Sequence, residues 1–161
     1  AQDYELWTRA AAHVRFANLP RVLQHYRVHP AQVGRKEASL QQAMADVVRA
    51  RQLEALDVEA NPEELALHHN LGRAIFPSGE SGLDQVENWF GKILAANAGT
   101  EYLPGEALER IMSNYWGVAC RRAAPAMGLA AWQRYQSSGL PRGSNFGLWV
   151  KAMLAEMRGQ A

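Results

Sequence analysis

Leu83-Asp84-Gln85-Val86-Glu87-Asn88-Trp89-Phe90-Gly91-Lys92-Ile93-Leu94 decides the fold class, because its apolar residues return at intervals of three and four while charged and amide side chains fill the positions between. That period places Leu83, Val86, Trp89, Phe90, Ile93 and Leu94 on one stripe of an α-helix, which the spacing ends near Asn97-Ala98-Gly99. A helix with one apolar stripe must bury it against another element. Downstream, Leu108, Ile111, Met112, Tyr115, Val118 and Ala119 repeat the pattern up to Pro125. A short helix around Ala130 to Tyr135 and a last one carrying Trp149, Val150, Met153, Leu154 and Met157 follow, joined by a flexible connector over Ser137 to Ser144.

Upstream the same punctuation recurs. Asn61-Pro62-Glu63-Glu64 combines a capping side chain, a proline at the first helical position and acids in the first turn, which predicts a helix to Ile75, stopped by Pro77-Ser78-Gly79. Leu40, Met44, Val47 and Val48 predict a longer helix to about Leu56. The sequence from 37 to 161 therefore reads as a mainly α, multi-helix bundle of five or six helices without a tandem repeat.

The chain has 161 residues, of which 48% are hydrophobic and 20% charged, ordinary values for a globular protein able to bury a core. A formal net charge of +1 gives no electrostatic reason to expect nucleic acid or an anionic membrane as partner. Cys120 is the only cysteine, so neither an internal disulfide framework nor a multi-thiolate metal site can form, and a reducing, cytoplasmic setting fits. No run approaches the ~20 apolar residues of a membrane span.

The first 36 residues read differently. Leu6, Trp7, Ala10, Ala11 and Val14 predict a helix over Tyr4 to Val14, with Asp3 at or near its N-cap. Arg15 to Asn18 and Val22 to His29 read as two short strands of a β-hairpin around Leu19-Pro20, with His25, Arg27 and His29 on one face. Pro30 to Lys36 reads as a loop. Two parts follow, 1–36 and 37–161.

Gln2-Asp3-Tyr4-Glu5-Leu6-Trp7, Phe16-Ala17-Asn18-Leu19-Pro20 and Tyr26-Arg27-Val28-His29, in that order and spacing, resemble the family-2 glycosyltransferases of GT-A type. The resemblance covers about a fifth of the chain, and Gln2 stands where the family more often has Glu. It implies that residues 1–36 close a GT-A α/β catalytic domain and that the chain is a C-terminal fragment of a longer inverting enzyme. Such an enzyme moves a sugar from a nucleotide-sugar donor to a glycan or lipid-linked acceptor hydroxyl, in bacterial cell-surface glycan synthesis. It would work in the cytoplasm or peripherally at the inner face of the membrane.

By that resemblance Asp3 is the catalytic base, since carboxylates are ionised at neutral pH and can take the proton of the attacking hydroxyl. Capping the helix is the alternative reading of Asp3. Trp7 would wall a sugar or pack in the core. Arg27 would hold the donor diphosphate through bidentate contacts. His29 would bind phosphate, or ligate a metal in the full-length enzyme only, or simply end a strand.

The resemblance also implies a divalent metal, Mg or Mn, held by an Asp-x-Asp motif. This chain has no such motif: its aspartates are Asp3, Asp46, Asp57 and Asp84, and no glycine-rich phosphate loop follows a strand. No cofactor is expected in the chain itself, which alone should not turn over. Other signals are weaker. His68 and His69 are adjacent, so a helix points them about 100° apart and they cannot share a metal as an i, i+4 pair would. Cys120 reads as a buried small residue. Trp7, Trp89, Trp116, Trp132 and Trp149 read as bundle core, with one or two of them lining an acceptor groove as the alternative. The competing function is a non-catalytic helical module for interaction or homo-oligomerisation.

Overall fold

The computed structural model describes residues 2–11, 13–25, 27 and 37–159. Seven helices occur among them: α1 Gln2–Ala10, α2 Ala38–Ala55, α3 Pro62–Gly72, α4 Gly79–Thr100, α5 Gly105–Met127, α6 Leu129–Ser137 and α7 Phe146–Gly159. The mainly α, multi-helix architecture is as the periodicity requires. The β-hairpin is not found: Arg15–Asn18, residues 22–25 and Arg27 carry no strand, while Tyr26 and residues 28–36, with the rest of the second strand, His29 and the expected loop, lie outside the described residues. The physical reason is legible in exposure. Phe16, Leu19, Val22 and Leu23 are all more than half exposed, and a two-stranded ribbon without a covering layer is marginal in water.

Cα packing divides the chain into two compact units, Ala1–Gln52 and Leu53–Ala161, with the division inside α2. In the first unit α1 buries no residue. It is shorter than its periodicity predicts, giving way to turn-like bonds from the Ala11 N–H to the Trp7 carbonyl and from the Val14 N–H to the Ala10 carbonyl. Glu5 pairs with Arg9 one turn on at 3.1 Å, and Arg49 of α2 lies 5.8 Å from the centre of the Tyr4 ring. Of the α2 stripe only Val48 is buried, while Leu40, Met44 and Val47 stay about half exposed.

In the second unit, α5 is the central helix and packs on α4, α6 and α7, while α6 also meets α7 and α3 lies on α4. The core joins Leu83, Val86, Trp89, Phe90 and Ile93 of α4 to Leu108, Met112, Trp116, Ala119 and Cys120 of α5, with Ala131, Tyr135, Leu148 and Ala152 closing it. Each large side chain taken out of water there contributes roughly 1.5–3 kcal/mol against the entropy of ordering it. The small residues of α5 let its neighbours approach. At Gly117 an added Cβ would fall 1.9 Å from the Asn145 side-chain nitrogen.

Helix ends explain the connections. At the end of α2 the Val58 N–H bonds to the Leu53 carbonyl and the Asp57 N–H to the Glu54 carbonyl, with Asp57 at φ +57° and both Leu53 and Val58 buried. This is a Schellman closure, in which the left-handed residue reverses the chain and an apolar pair seals it. Ala74 at φ +57° and the Ile75 N–H bonded to the Asn70 carbonyl do the same for α3, which therefore ends at Gly72 before the expected Ile75.

Two further expectations change. Pro125 does not end α5, which runs on to Met127, because a proline costs one bond in the last turn and Gly128, at φ +55°, makes the actual stop. Nor is the stretch from Ser137 to Ser144 a loose connector. Ser138 and Leu140 are buried, the Tyr135 hydroxyl donates to the Gly143 carbonyl at 2.7 Å, and Arg142 donates to the carbonyls of Gln136 and Ser138.

Candidate functional site

The four residues implied by the glycosyltransferase resemblance belong to the first unit. Asp3 lies in the first turn of α1, one residue inside the helix rather than at a cap, and is exposed. A carboxylate there is favoured by the positive end of the helix dipole. Trp7, four residues on, shares its face by helical spacing, with Leu6 and Ala10 beside it. It is 56% exposed and meets Phe16 edge to face, ring centres 5.3 Å apart. The core reading of Trp7 is thus excluded within this chain. Arg27 is exposed, and His29 lies outside the described residues. Helical spacing therefore joins a carboxylate to an exposed indole on one apolar surface, an arrangement able to present a proton acceptor beside a flat face.

The second unit carries a cleft of about 660 Å³ between α3, the segment after it and the first half of α4. Leu67 and Asn70 come from α3, Ile75, Phe76 and Pro77 from the connection, and Gln85, Asn88 and Trp89 from α4. A capping box sets one end: the Glu64 N–H donates to Asn61 Oδ1 at 2.9 Å and the Asn61 N–H to Glu64 Oε2 at 3.0 Å. Lys92 then donates to both Glu64 oxygens, at 3.0 and 2.8 Å. The Lys92 hydrogen bond, followed by the Asn61 N–H, holds the Glu64 carboxyl below its ordinary range. The base of the cleft is fixed by the Trp89 indole N–H, which donates to His68 Nδ1 at 3.3 Å. That bond gives His68 a packing role, with His69 one ring away at 6.3 Å.

Elsewhere the chemistry is structural. Cys120 is fully buried, and its surroundings push the thiol up to about 12, desolvation first and the Glu87 carboxylate second. Arg134 ties α6 to α4 through Asp84 and through Glu87, the latter at 2.7 Å. Trp89 and Trp116 are core residues and Trp132 packs against the core, whereas Trp7 and Trp149 are exposed, which corrects the reading of all five as core. Among the described residues no three His, Cys, Asp or Glu side chains could together hold a metal ion. No described helix is long and apolar enough to cross a membrane.

The cleft residues were not singled out by sequence. Gln85 and Asn88 are three apart on α4, but polar residues opposite an apolar stripe read as a solvated face, and only the packing of α3 on α4 gives them a cavity to line.

Fold and surfaces together define a helical protein with an exposed carboxylate–indole face on one unit and an amide-lined cleft on the other. Comparison with family models, curated proteins and solved structures found no match for the chain.

Proposed function

We propose that residues 1–36 close the catalytic domain of an inverting, nucleotide-sugar-dependent glycosyltransferase, with Asp3 as the base that takes the acceptor hydroxyl proton and residues 37–161 as an appended helical module. The observation that carries this reading is the uncovered apolar surface of the first unit, where α1 buries nothing and Leu6, Trp7, Phe16, Val22 and Leu23 lie exposed. Amphipathic helices owe most of their stability to packing, so such a surface fits a segment that completes a larger layer. The three ordered motifs give that layer its chemistry. Trp7 would pack on the ring of a sugar, and Arg27 would offset charge on the departing diphosphate. Asp3, as a carboxylate beside an indole, would accept the proton as the hydroxyl attacks the anomeric carbon and the nucleoside diphosphate leaves from the opposite face.

The experiment is acceptor-dependent nucleotide release by the full-length enzyme, wild type against Asp3→Asn. Loss of about 10²–10⁴-fold in turnover with donor binding retained is expected for a general base. An active wild type whose rate survives the substitution would make Asp3 a helix-end residue only.

A second reading, a helical module for self-association, is favoured by α7. Leu148 and Ala152 bury one side of this helix, while Trp149, Leu154 and Met157 remain 39%, 49% and 64% exposed on the other. Sedimentation of the chain against Leu154→Glu separates the two: a dimer in the parent that becomes a monomer in the variant supports association through α7, and a monomeric parent removes it.

A further inference from the structure

The cleft of the second unit carries chemistry that the catalytic reading does not use. Its lining holds four side-chain amides, of which Asn61 is used in the capping box while those of Asn70, Gln85 and Asn88 form no hydrogen bond with the described residues. An amide offers one carbonyl acceptor and two N–H donors, and a sugar hydroxyl both donates and accepts, so one amide can engage two neighbouring hydroxyls of a ring. The same lining holds Leu67, Phe76 and Pro77, flat or compact apolar groups suited to the C–H faces of sugar rings. Trp89, bonded to His68, belongs to the same lining.

Charge narrows the ligand further. The lining contains no lysine or arginine, and it does contain the carboxylates Glu63 and Glu64. The nearby cations are already engaged, Lys92 with Glu64 and Arg122 against the Phe76 ring at 5.2 Å, so a phosphate, sulfate or uronate would meet the Glu63 carboxylate with no lining cation of its own. Glu64 is already occupied by Lys92 and by the Asn61 N–H, so it adds no open ion-pair site for a cation. The volume of about 660 Å³ is that of a small-molecule site rather than of a macromolecular interface.

We propose that this cleft binds a neutral oligosaccharide segment, with Asn70, Gln85 and Asn88 reading ring hydroxyls and Leu67, Phe76 and Pro77 meeting ring C–H faces. The inference rests on the lining itself and is read by binding, without turnover. Its failure leaves the assignment of Asp3 untouched, and failure of that assignment leaves the cleft as it is.

The test is a ¹H–¹⁵N titration of the full 161-residue chain, following the side-chain NH₂ resonances of Asn70, Gln85 and Asn88. The probes are maltotetraose, cellotetraose, chitotetraose and mannotetraose, with tetragalacturonate as the anionic control and an uncharged decapeptide of Ser, Pro and Gly as the peptide control. Saturable shifts of these three amides by at least one neutral tetrasaccharide are expected, with tetragalacturonate at least tenfold weaker. Gln85 and Asn88 are exposed on α4, so the double variant Gln85→Ala with Asn88→Ala keeps the fold, and it should bind at least about tenfold more weakly. The proposal is overturned if no neutral tetrasaccharide moves these resonances, if tetragalacturonate or the peptide binds as well as the best sugar, or if the double variant binds unchanged.

Discussion

Cys120 has two arginines next to it in sequence, Arg121 and Arg122, yet in the fold its thiol is governed by what surrounds it in space. Desolvation and the Glu87 carboxylate push it up to about 12, while the Arg134 guanidinium opposes them weakly. An unfolded thiol ionises near 8.5. Between those values the folded state keeps a proton the unfolded state has released, so the stabilisation linked to this group is complete below the unfolded value and is lost as pH rises toward about 12. Alkylation by iodoacetamide at pH 9 should therefore proceed only through unfolding, at a rate that follows denaturant concentration. Fast labelling of the native chain would show an open thiol. Burial of Cys120 was legible from its place in an apolar helix. The neighbours that set its ionisation were not, because Glu87 and Arg134 belong to other helices, α4 and α6.

At the scale of elements, the turn from α4 to α5 hangs on Asn97. Its side chain is 6% exposed, donates to the Leu103 carbonyl at 3.0 Å and accepts from the Leu103 N–H at 2.8 Å. Removing it strands a backbone donor and acceptor in a half-closed corner, each costing about 1–3 kcal/mol when unsatisfied. Asn97→Ala should lower unfolding stability by about 2 kcal/mol with an unchanged urea m-value, and a loss below 0.5 kcal/mol would mean that water replaces the amide. The sequence marked Asn97 only as a helix stop. Helix starts were easier to read, as at Asn61-Pro62-Glu63-Glu64, because the capping box is completed within four residues. Stops set by Asp57, Ala74 and Glu101 in left-handed conformations were missed in their exact positions, since none of these residues is a glycine.

For the whole molecule, the two units differ in what they bury. The second packs α4, α6 and α7 on the central α5 around Trp116, whereas in the first α1 buries nothing. Local opening free energy scales with buried apolar contacts, so native-state hydrogen exchange should release the amides of α1 at least about 100-fold faster than those of α4 and α5. Equal protection in the isolated chain would mean that the apolar face of α1 is covered, and would remove the main support for its role as the edge of a larger domain.

The sequence by itself determined the helical class, the count and approximate limits of the helices after position 37, and the apolar stripes of α4 and α5, because a period near 3.6 and a cap are properties of neighbouring residues. It also placed Asp3 at the start of a helix that carries Trp7 in its apolar stripe, since spacing within a single helix is enough for that. Only the tertiary structure decided which stripes find partners: the stripe of α4 is buried, while that of α2 stays mostly in water. It alone made Gln85 and Asn88 the wall of a cleft rather than a solvated face, and tied down the segment after Ser137. These outcomes depend on contacts between residues far apart in the chain, and no local pattern encodes which surface another helix will cover.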